Sequence, residues 1–482
     1  MLPRIWPAVL TLGWILLVIA GGEGLMALVA LAADDSAFDV FALSAAVTAA
    51  VAGACILTTK GRAFELRFRD ATLLTAVAWL VVPALAALPL MGHPIKLRFV
   101  DAYYEMVSGF TTTSSTVIVG LDTMPTSILL WRSTVQWLGG LGILGLAIVI
   151  LPFLRIGGMQ LFRMESSDHS DDAMPKAQYV AGVAGRIYVF LTLACCLTYW
   201  ALGMSLFDAL NHALTTLPTA GFSTHDTSFG YFHSPALEWA AVLFMISGAL
   251  PLLAYLRALR PGGWRDRIDP QIPVFVAMLA AFVLIVTLYV WATGQLSFFP
   301  ALTKAAFNVT SIITTTGYVS TDYLKWGPFV ATCFFLFNFP GGCTGSTAGG
   351  LKTLRLMVLY RVVQQHVKQL LHPHQASPIR YGRKILTDDE VGSVGTFAFL
   401  YLSTFAVLSI AVSLTGPDMA TAMSAVAACM ANAGPGIGPI IGPAGNFSSL
   451  PDPTKILLSF AMIAGRLEIQ GVLILFLPSF YR

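Results

Sequence analysis

Charge is what this 482-residue chain has least of. Asp, Glu, Lys and Arg together make up 11%, where a soluble domain carries about a quarter. So few charges cannot clothe a 51.6 kDa particle in water, and a mean hydropathy of +0.75 agrees. A net charge of +3 is too small to recruit nucleic acid. Cysteine is equally thin. The six, Cys55, Cys195, Cys196, Cys333, Cys343 and Cys429, show no C-x-x-C spacing, and five lie inside apolar runs. That pattern predicts buried structural thiols rather than a redox or metal framework. There is no H-E-x-x-H motif, no His/Cys cluster and no G-x-G-x-x-G following a strand. No covalent chemistry and no nucleotide site are therefore expected in this chain. A cleavable signal is not evident, because the apolar run from Ile5 to Ala33 is too long for one. What abounds is apolar surface, at 56% of residues, together with 42 Gly and 26 Pro. That many helix breakers point to broken or re-entrant backbone inside a lipid bilayer.

Runs long enough to span a bilayer occur at about 5–33, 40–58, 71–91, 128–153, 181–204, 237–259, 272–294, 326–339 with its continuation, 395–415 and 455–480. The sequence thus predicts an all-α polytopic protein of about ten transmembrane helices. Shorter apolar segments near 101–113, 206–219, 301–316 and 418–433 are too short to cross and read as re-entrant half-helices. Twenty of the 28 Lys and Arg fall at the ends or in four loops. The loops are 59–71 (Lys60, Arg62, Arg67, Arg69), 154–180 (Arg155, Arg163, Lys176), 256–271 (Arg257, Arg260, Arg265, Arg267) and 351–391 (Lys352, Arg355, Arg361, Lys368, Arg380, Arg383, Lys384), and Arg4 and Arg482 lie at the ends. A ten-span path with both termini cytoplasmic places all twenty inside, and the half-helices then enter from the outer face.

The chain also repeats itself. SGFTTTSSTV at 108–117, LPTAGFSTHD at 217–226, ITTTGYVSTD at 313–322 and MANAGPGIGP at 430–439 align on Ser114, Gly221, Gly317 and Gly434, which are 107, 96 and 117 residues apart. Each follows a half-helix between two spans. Repetition of a membrane unit implies pseudosymmetry about a common axis. Helix C-termini aimed at that axis carry partial negative charge, and extended backbone beyond them can offer carbonyls in place of a cation's hydration shell. Glycine at the pivots suits the positive φ that such carbonyl alignment demands. Four such segments describe an ion filter.

These segments, with QWLGGLGI at 136–143, GGCTGSTAGGLKTLR at 341–355 and GRLEI at 465–469, carry a resemblance. Over nearly its whole length the chain resembles the Trk/Ktr/HKT superfamily of potassium-translocating subunits, and the TrkH type in particular. The resemblance implies two extra N-terminal spans (1–70), then pore repeats at 71–180, 181–271, 272–394 and 395–482, the third holding an intramembrane gate loop and a basic cytoplasmic segment. It implies K+ uptake through a carbonyl filter of Thr112, Thr113 and Ser114, Thr219, Ala220 and Gly221, Thr315, Thr316 and Gly317, and Asn432, Ala433 and Gly434. K+ is the bound and transported ion, and no organic cofactor is expected. It further implies a homodimer in the bacterial inner membrane, carried on a cytosolic TrkA-like nucleotide-binding regulatory ring. In one respect the chain departs from the TrkH pattern: the first pivot is Ser114 where Gly is usual, a change that HKT members passing Na+ share. A Cβ there is expected to twist one carbonyl of four off the axis.

Pro340 to Gly350 breaks a hydrophobic run and lacks the full pattern of a phosphate-binding loop. At membrane depth, irregular backbone is tolerated where it lines a wet cavity. The resemblance makes this stretch a gate, with Gly341, Gly342, Gly345, Ser346, Thr347, Gly349, Gly350 and Lys352 on it and Arg466 projecting toward it. Glu105 reads as a brace between neighbouring units. His225 and Asp226 follow the second segment and suit either capping or cation attraction, and His366, His372 and His374 read as solvated. The rival to a pore is an alternating-access cation–proton symporter, which would need paired carboxylates at mid-membrane.

Overall fold

The computed structural model describes residues 5–62, 68–145, 173–258, 268–373, 378–382 and 384–480. Arg4, Arg67, Arg155, Arg163, Arg260, Arg265, Arg267, His374, Arg383 and Arg482 of the basic segments lie outside them.

An N-terminal hairpin, α1 (Ile5–Ala32) and α2 (Phe38–Thr59), leads into α3 (Phe68–Ala86) and a short continuation, α4 (Leu88–Met91). Then come α5 (Phe99–Phe110), α6 (Thr126–Gly145), α7 (Ala173–Ala201), α8 (Leu206–Thr216), α9 (Pro235–Ala249) and α10 (Leu252–Ala258). They are followed by α11 (Gln271–Ala292), α12 (Phe298–Ile313), α13 (Pro328–Phe337) and α14 (Thr353–Leu371). The chain closes with α15 (Asp388–Ser413), α16 (Met419–Ala431), α17 (Asp452–Arg466) and α18 (Ile469–Leu473). Among the described residues the only strands are a two-residue antiparallel pair, Arg380–Tyr381 with Lys384–Ile385.

The helical, multi-pass architecture matches the sequence reading, and among the described residues single unbroken spans are fewer than ten. Six helices among the described residues are long and apolar enough to cross alone: α1, α2, α3 with α4, α7, α11 and α15. A seventh crossing, α17 with the helical stretch to Phe476, bends by 112°. The run expected at 128–153 is helical from Thr126 to Gly145, where the described residues stop. The run at 237–259 breaks at Leu250–Pro251, because proline cannot supply a helical N–H. The run from 326 ends at Phe337 and resumes only at Thr353, across the glycine-rich stretch.

Four short helices form where the re-entrant segments were expected. Helices α5, α8, α12 and α16 are 12, 11, 16 and 13 residues long, or roughly 16–24 Å at helical rise. Two begin on side-chain caps: Ser205 Oγ accepts from Asp208 N at 3.0 Å, and Asp418 Oδ2 accepts from Ala420 N and Thr421 N at 3.1 and 3.2 Å. Their C-terminal halves are buried, which aims four helix C-termini into the protein. All six cysteines are unpaired.

Candidate functional site

At each of those C-termini the chain turns in the same way. The residue before each pivot donates its N–H back to a carbonyl five positions earlier. The pairs are Thr113 to Ser108, Ala220 to Thr215, Thr316 to Ser311 and Ala433 to Ala428, at 2.8, 2.9, 2.8 and 2.9 Å. Left-handed residues stand at two matching steps. The pivots have φ of 72° (Ser114), 67° (Gly221), 85° (Gly317) and 95° (Gly434). Two positions earlier, Thr112, Thr219, Thr315 and Asn432 have φ of 54°, 53°, 58° and 55°. The sequence reading assigned positive φ to glycine alone. Five of these eight positions belong to other residues, held there by the back-bonds and by packing, since a lone threonine disfavours this region.

The segments meet. A Cβ placed on Gly221 would lie 2.0 Å from Thr316 O, one on Gly317 2.6 Å from Ala433 O, and one on Gly434 2.8 Å from Thr113 O. Each pivot therefore abuts the next unit in chain order, and the fourth abuts the first, which closes a ring. Ser114 is different. It keeps φ 72°, so its Cβ does not twist the backbone away as the sequence suggested. Instead its side chain extends across the ring: Ser114 Oγ lies within 3.0 Å of a Cβ position on each of the three glycine pivots. Four helix C-termini ringing this point add partial negative charge suited to a cation.

Each outgoing segment is braced from its own short helix by a different side chain. In the first, Glu105 accepts from Thr116 Oγ1 (2.9 Å) and Val117 N (2.9 Å) and pairs with Arg132 Nε at 2.9 Å, with Glu105 and Arg132 both buried. In the second, His212 Nε2 contacts Ser223 Oγ at 3.0 Å. In the third, Asn308 bonds Ser320 through both its amide oxygen and its amide nitrogen, and in the fourth Ser424 Oγ accepts from Ile437 N at 3.0 Å. Of these the sequence reading singled out only Glu105, as a brace between neighbouring units, whereas its partners Thr116, Val117 and Arg132 all lie within its own unit. Gln136, inside the QWLGGLGI motif, grips the second segment by donating to Ala220 O (2.7 Å) and accepting from Phe222 N (3.0 Å). The Ala220 carbonyl is thus engaged from behind. Close backbone approach explains two glycines: a Cβ on Gly139 would lie 2.2 Å from Phe110 O, and one on Gly465 2.0 Å from Met430 O.

The stretch between α13 and α14 folds against one end of the ring. Its backbone is buried and tied to α9 and α11: Cys343 N donates to Ala249 O (3.0 Å) and Thr344 N to Gln271 Oε1 (2.8 Å). Gly341, Gly345, Gly350 and Lys352 take positive φ. Ser346 Oγ bonds Cys343 O, and Thr353 N closes on Gly342 O. Gly349 N donates to Thr315 Oγ1 at 2.8 Å, and Thr347 Oγ1 lies 3.2 Å from Thr219 Oγ1. Arg466, buried at the end of α17, donates from Nη2 to Thr347 O at 2.6 Å. It therefore grips the loop. The carboxylate nearby, Glu468, pairs with Arg355 (2.6 Å), whose guanidinium lies over Phe397.

At the opposite end of the segments, His225 and Asp226 tie units together. His225 Nδ1 meets Asp122 at 2.6 Å, its Nε2 lies 3.4 Å from Asp208, and its ring stacks on Tyr231. Asp226 accepts from Gly120 N and Leu121 N at 3.0 and 3.1 Å. The seam between the last and first units is clasped by Arg98–Asp452 (2.6 Å), Lys455–Asp101 (2.6 Å) and Phe447 N to Thr116 O (2.9 Å). His366 and His372 are exposed on α14, as a solvated face requires.

A multi-pass helical protein whose short helices point at one ring of strained, buried backbone belongs among membrane transport proteins rather than enzymes. Comparison with known sequences narrows this: the TrkH family profile, described as cation transport protein, matches residues 37–261 and 270–480, and the chain belongs to that family. It is 40% identical to the Trk system potassium uptake protein TrkI of Halomonas elongata, over 98% of this chain and 96% of that one. It is 35% identical to the Trk system potassium uptake protein TrkH of Escherichia coli K12, over 98% of each. The crystal structure of the potassium transporter TrkH from Vibrio parahaemolyticus superposes with a TM-score of 0.89 at 32% identity, covering 99% of this chain and all of that one.

Proposed function

We propose that the chain is the pore-forming subunit of a K+ uptake system, and that its four converging segments are a selectivity filter. The observation carrying this reading is the ring itself: four helix C-termini, each followed by backbone with left-handed residues at the same two steps. Alternating φ sign turns successive carbonyls to one side, the arrangement that replaces a cation's water shell. The proposed ion ligands are drawn from Thr112–Ser114, Thr219–Gly221, Thr315–Gly317 and Asn432–Gly434, with Ala220 contributing least because Gln136 holds its carbonyl. The pore repeats are 71–180, 181–271, 272–394 and 395–482, following the hairpin at 1–70. Relatives named for potassium uptake support K+ as the ion. Ser114, with its hydroxyl in the ring, supports Na+ permeation beside it.

The loop of Gly341, Gly342, Gly345, Ser346, Thr347, Gly349 and Gly350, ending at Lys352 and held by Arg466, is the proposed gate at the inner end of the filter. The proposed setting is the bacterial inner membrane, with both termini cytoplasmic and the His225 end facing out. A homodimer on a cytosolic TrkA-like nucleotide-binding ring would pull on this loop. The test is electrical: purified protein in a planar bilayer should give discrete unitary currents whose reversal potential follows the K+ gradient in mixed K+/Na+ solutions. Slow saturable flux with a proton-dependent reversal potential would favour the symporter and overturn the pore.

A further inference from the structure

The residues one step below the proposed carbonyl ring are Thr112, Thr219, Thr315 and Asn432, all left-handed and all buried. They stand at one matching position in four segments, so each unit supplies one side-chain oxygen at the same step of the chain. Two of those oxygens, Thr112 Oγ1 and Asn432 Oδ1, are buried with no hydrogen-bond partner. A buried polar atom left unpaired is costly unless something visits it. The other two are engaged by the loop: Thr315 Oγ1 accepts from Gly349 N, and Thr219 Oγ1 meets Thr347 Oγ1. Gly349 also sits against the fourth segment, where an added Cβ would lie 2.1 Å from Ala431 O and 3.2 Å from Asn432 Cβ.

We propose that the loop decides which cation the filter prefers as well as whether ions pass, by withholding the Thr315 and Thr219 hydroxyls from an innermost four-oxygen site. The inference rests on the filter and gate reading above. With the loop seated, that level offers an ion two free oxygens and must complete its shell with water, which does little to separate K+ from Na+. With the loop withdrawn, each of the four neutral oxygens has a lone pair to offer, Thr219 Oγ1 still donating its proton to Pro218 O at 2.7 Å. A larger set of weak-field oxygens favours the larger, more weakly hydrated cation. Selectivity and opening are then one variable. A loop that merely plugs the passage would leave them independent.

Gly349→Ala separates these cases, because its methyl cannot coexist with Ala431 O and must lift the loop. The full-length protein is reconstituted in liposomes, and K+ flux and the K+/Na+ bi-ionic reversal potential are measured for wild type, Gly349→Ala, and Gly349→Ala with Thr315→Val. The expected result is raised flux together with a rise of about threefold in the K+/Na+ permeability ratio, the scale of one ligand contact. Thr315→Val removes one of the four oxygens and should cancel the rise in ratio, which is read on the reversal potential alone because Thr315 belongs to the proposed filter. Raised flux with an unmoved or lowered ratio would overturn the coupling and leave the gate standing. Unchanged flux in a protein that inserts normally would remove the gate reading itself. Should Gly349→Ala fail to assemble, Thr347→Val serves the same comparison. It is near-isosteric and loses the hydroxyl bonds to Leu217 O, Gly248 O and Thr219.

Discussion

The first and third segments share a backbone and almost nothing else. Thr112 and Thr315 have φ of 54° and 58°, Ser114 and Gly317 have 72° and 85°, and both segments make the same back-bond at 2.8 Å. Behind the first stands a buried ion pair, Glu105 with Arg132; behind the third stands one neutral amide, Asn308. The first pivot carries a hydroxyl, while the third carries none and its unit accepts a bond from the loop. Ring geometry is therefore set by hydrogen bonds among main-chain groups, and the supports are interchangeable so long as every buried polar group is paired.

The strongest way to break that comparison is to remove one support at a time. Arg132→Met leaves Glu105 buried without its counter-charge and should cost about 3–5 kcal/mol, enough to lower thermal stability in detergent sharply or to prevent assembly. Asn308→Ala should cost about 1–3 kcal/mol, and equal losses in the two melting curves would show the supports are not distinct. Next comes the loop. Arg466→Ala removes the donor to Thr347 O and should raise K+ flux about tenfold, the effect of one charge-assisted bond of roughly 1.5 kcal/mol. A fall in flux with normal insertion would make Arg466 a brace.

The pivots give a smaller, sharper contrast. Ser114→Gly clears a side chain from the ring and should raise the K+/Na+ permeability ratio about threefold, or less than 1 kcal/mol. Gly317→Ser, which must crowd both Ser114 and Ala433 O, should lower it. A bi-ionic potential unmoved by Ser114→Gly would place the hydroxyl outside the ion's path.

The least effect belongs to the clasp between the first and second units at the end away from the loop. Partial burial opposes a charge on His225, but Asp208 and Asp122 outweigh it and raise its pKa above the ordinary 6.5. His225 in turn lowers that of Asp122. A raised histidine pKa means that the pairing is in full force below pH 6.5 and is lost as pH climbs through the raised value. The melting temperature should therefore fall slightly across that window, with Tyr231 and Phe232 the other neighbours of the ring. In His225→Gln the fall should vanish; a slope that persists would assign the titration elsewhere.

Repetition was legible because Thr, Gly and a pivot recur at steps of about a hundred residues. The four short helices were legible by length alone, and the irregular loop between α13 and α14 by its glycines. The braces were not: Glu, His, Asn and Ser share no letter, only a position on a helix and a polar end. Threonine at positive φ was hidden for a different reason, since local preference opposes it and only the assembled ring imposes it. Fewer single helices than ten are long enough to cross among the described residues, because Pro251 and the glycines after Phe337 break runs that hydropathy reads as whole. Arg466 was visible as an intramembrane charge, while its partner, a carbonyl, leaves no mark in a sequence.

Ring closure through one polypeptide, clasped at the Arg98–Asp452 seam, has a consequence for how such a protein can change. In a ring of four identical subunits, any mutation arrives four times at once, and a mild version of it cannot be sampled. Here each quarter is written separately. A single base change can place one hydroxyl among three glycines, so ion preference can drift in quarter steps.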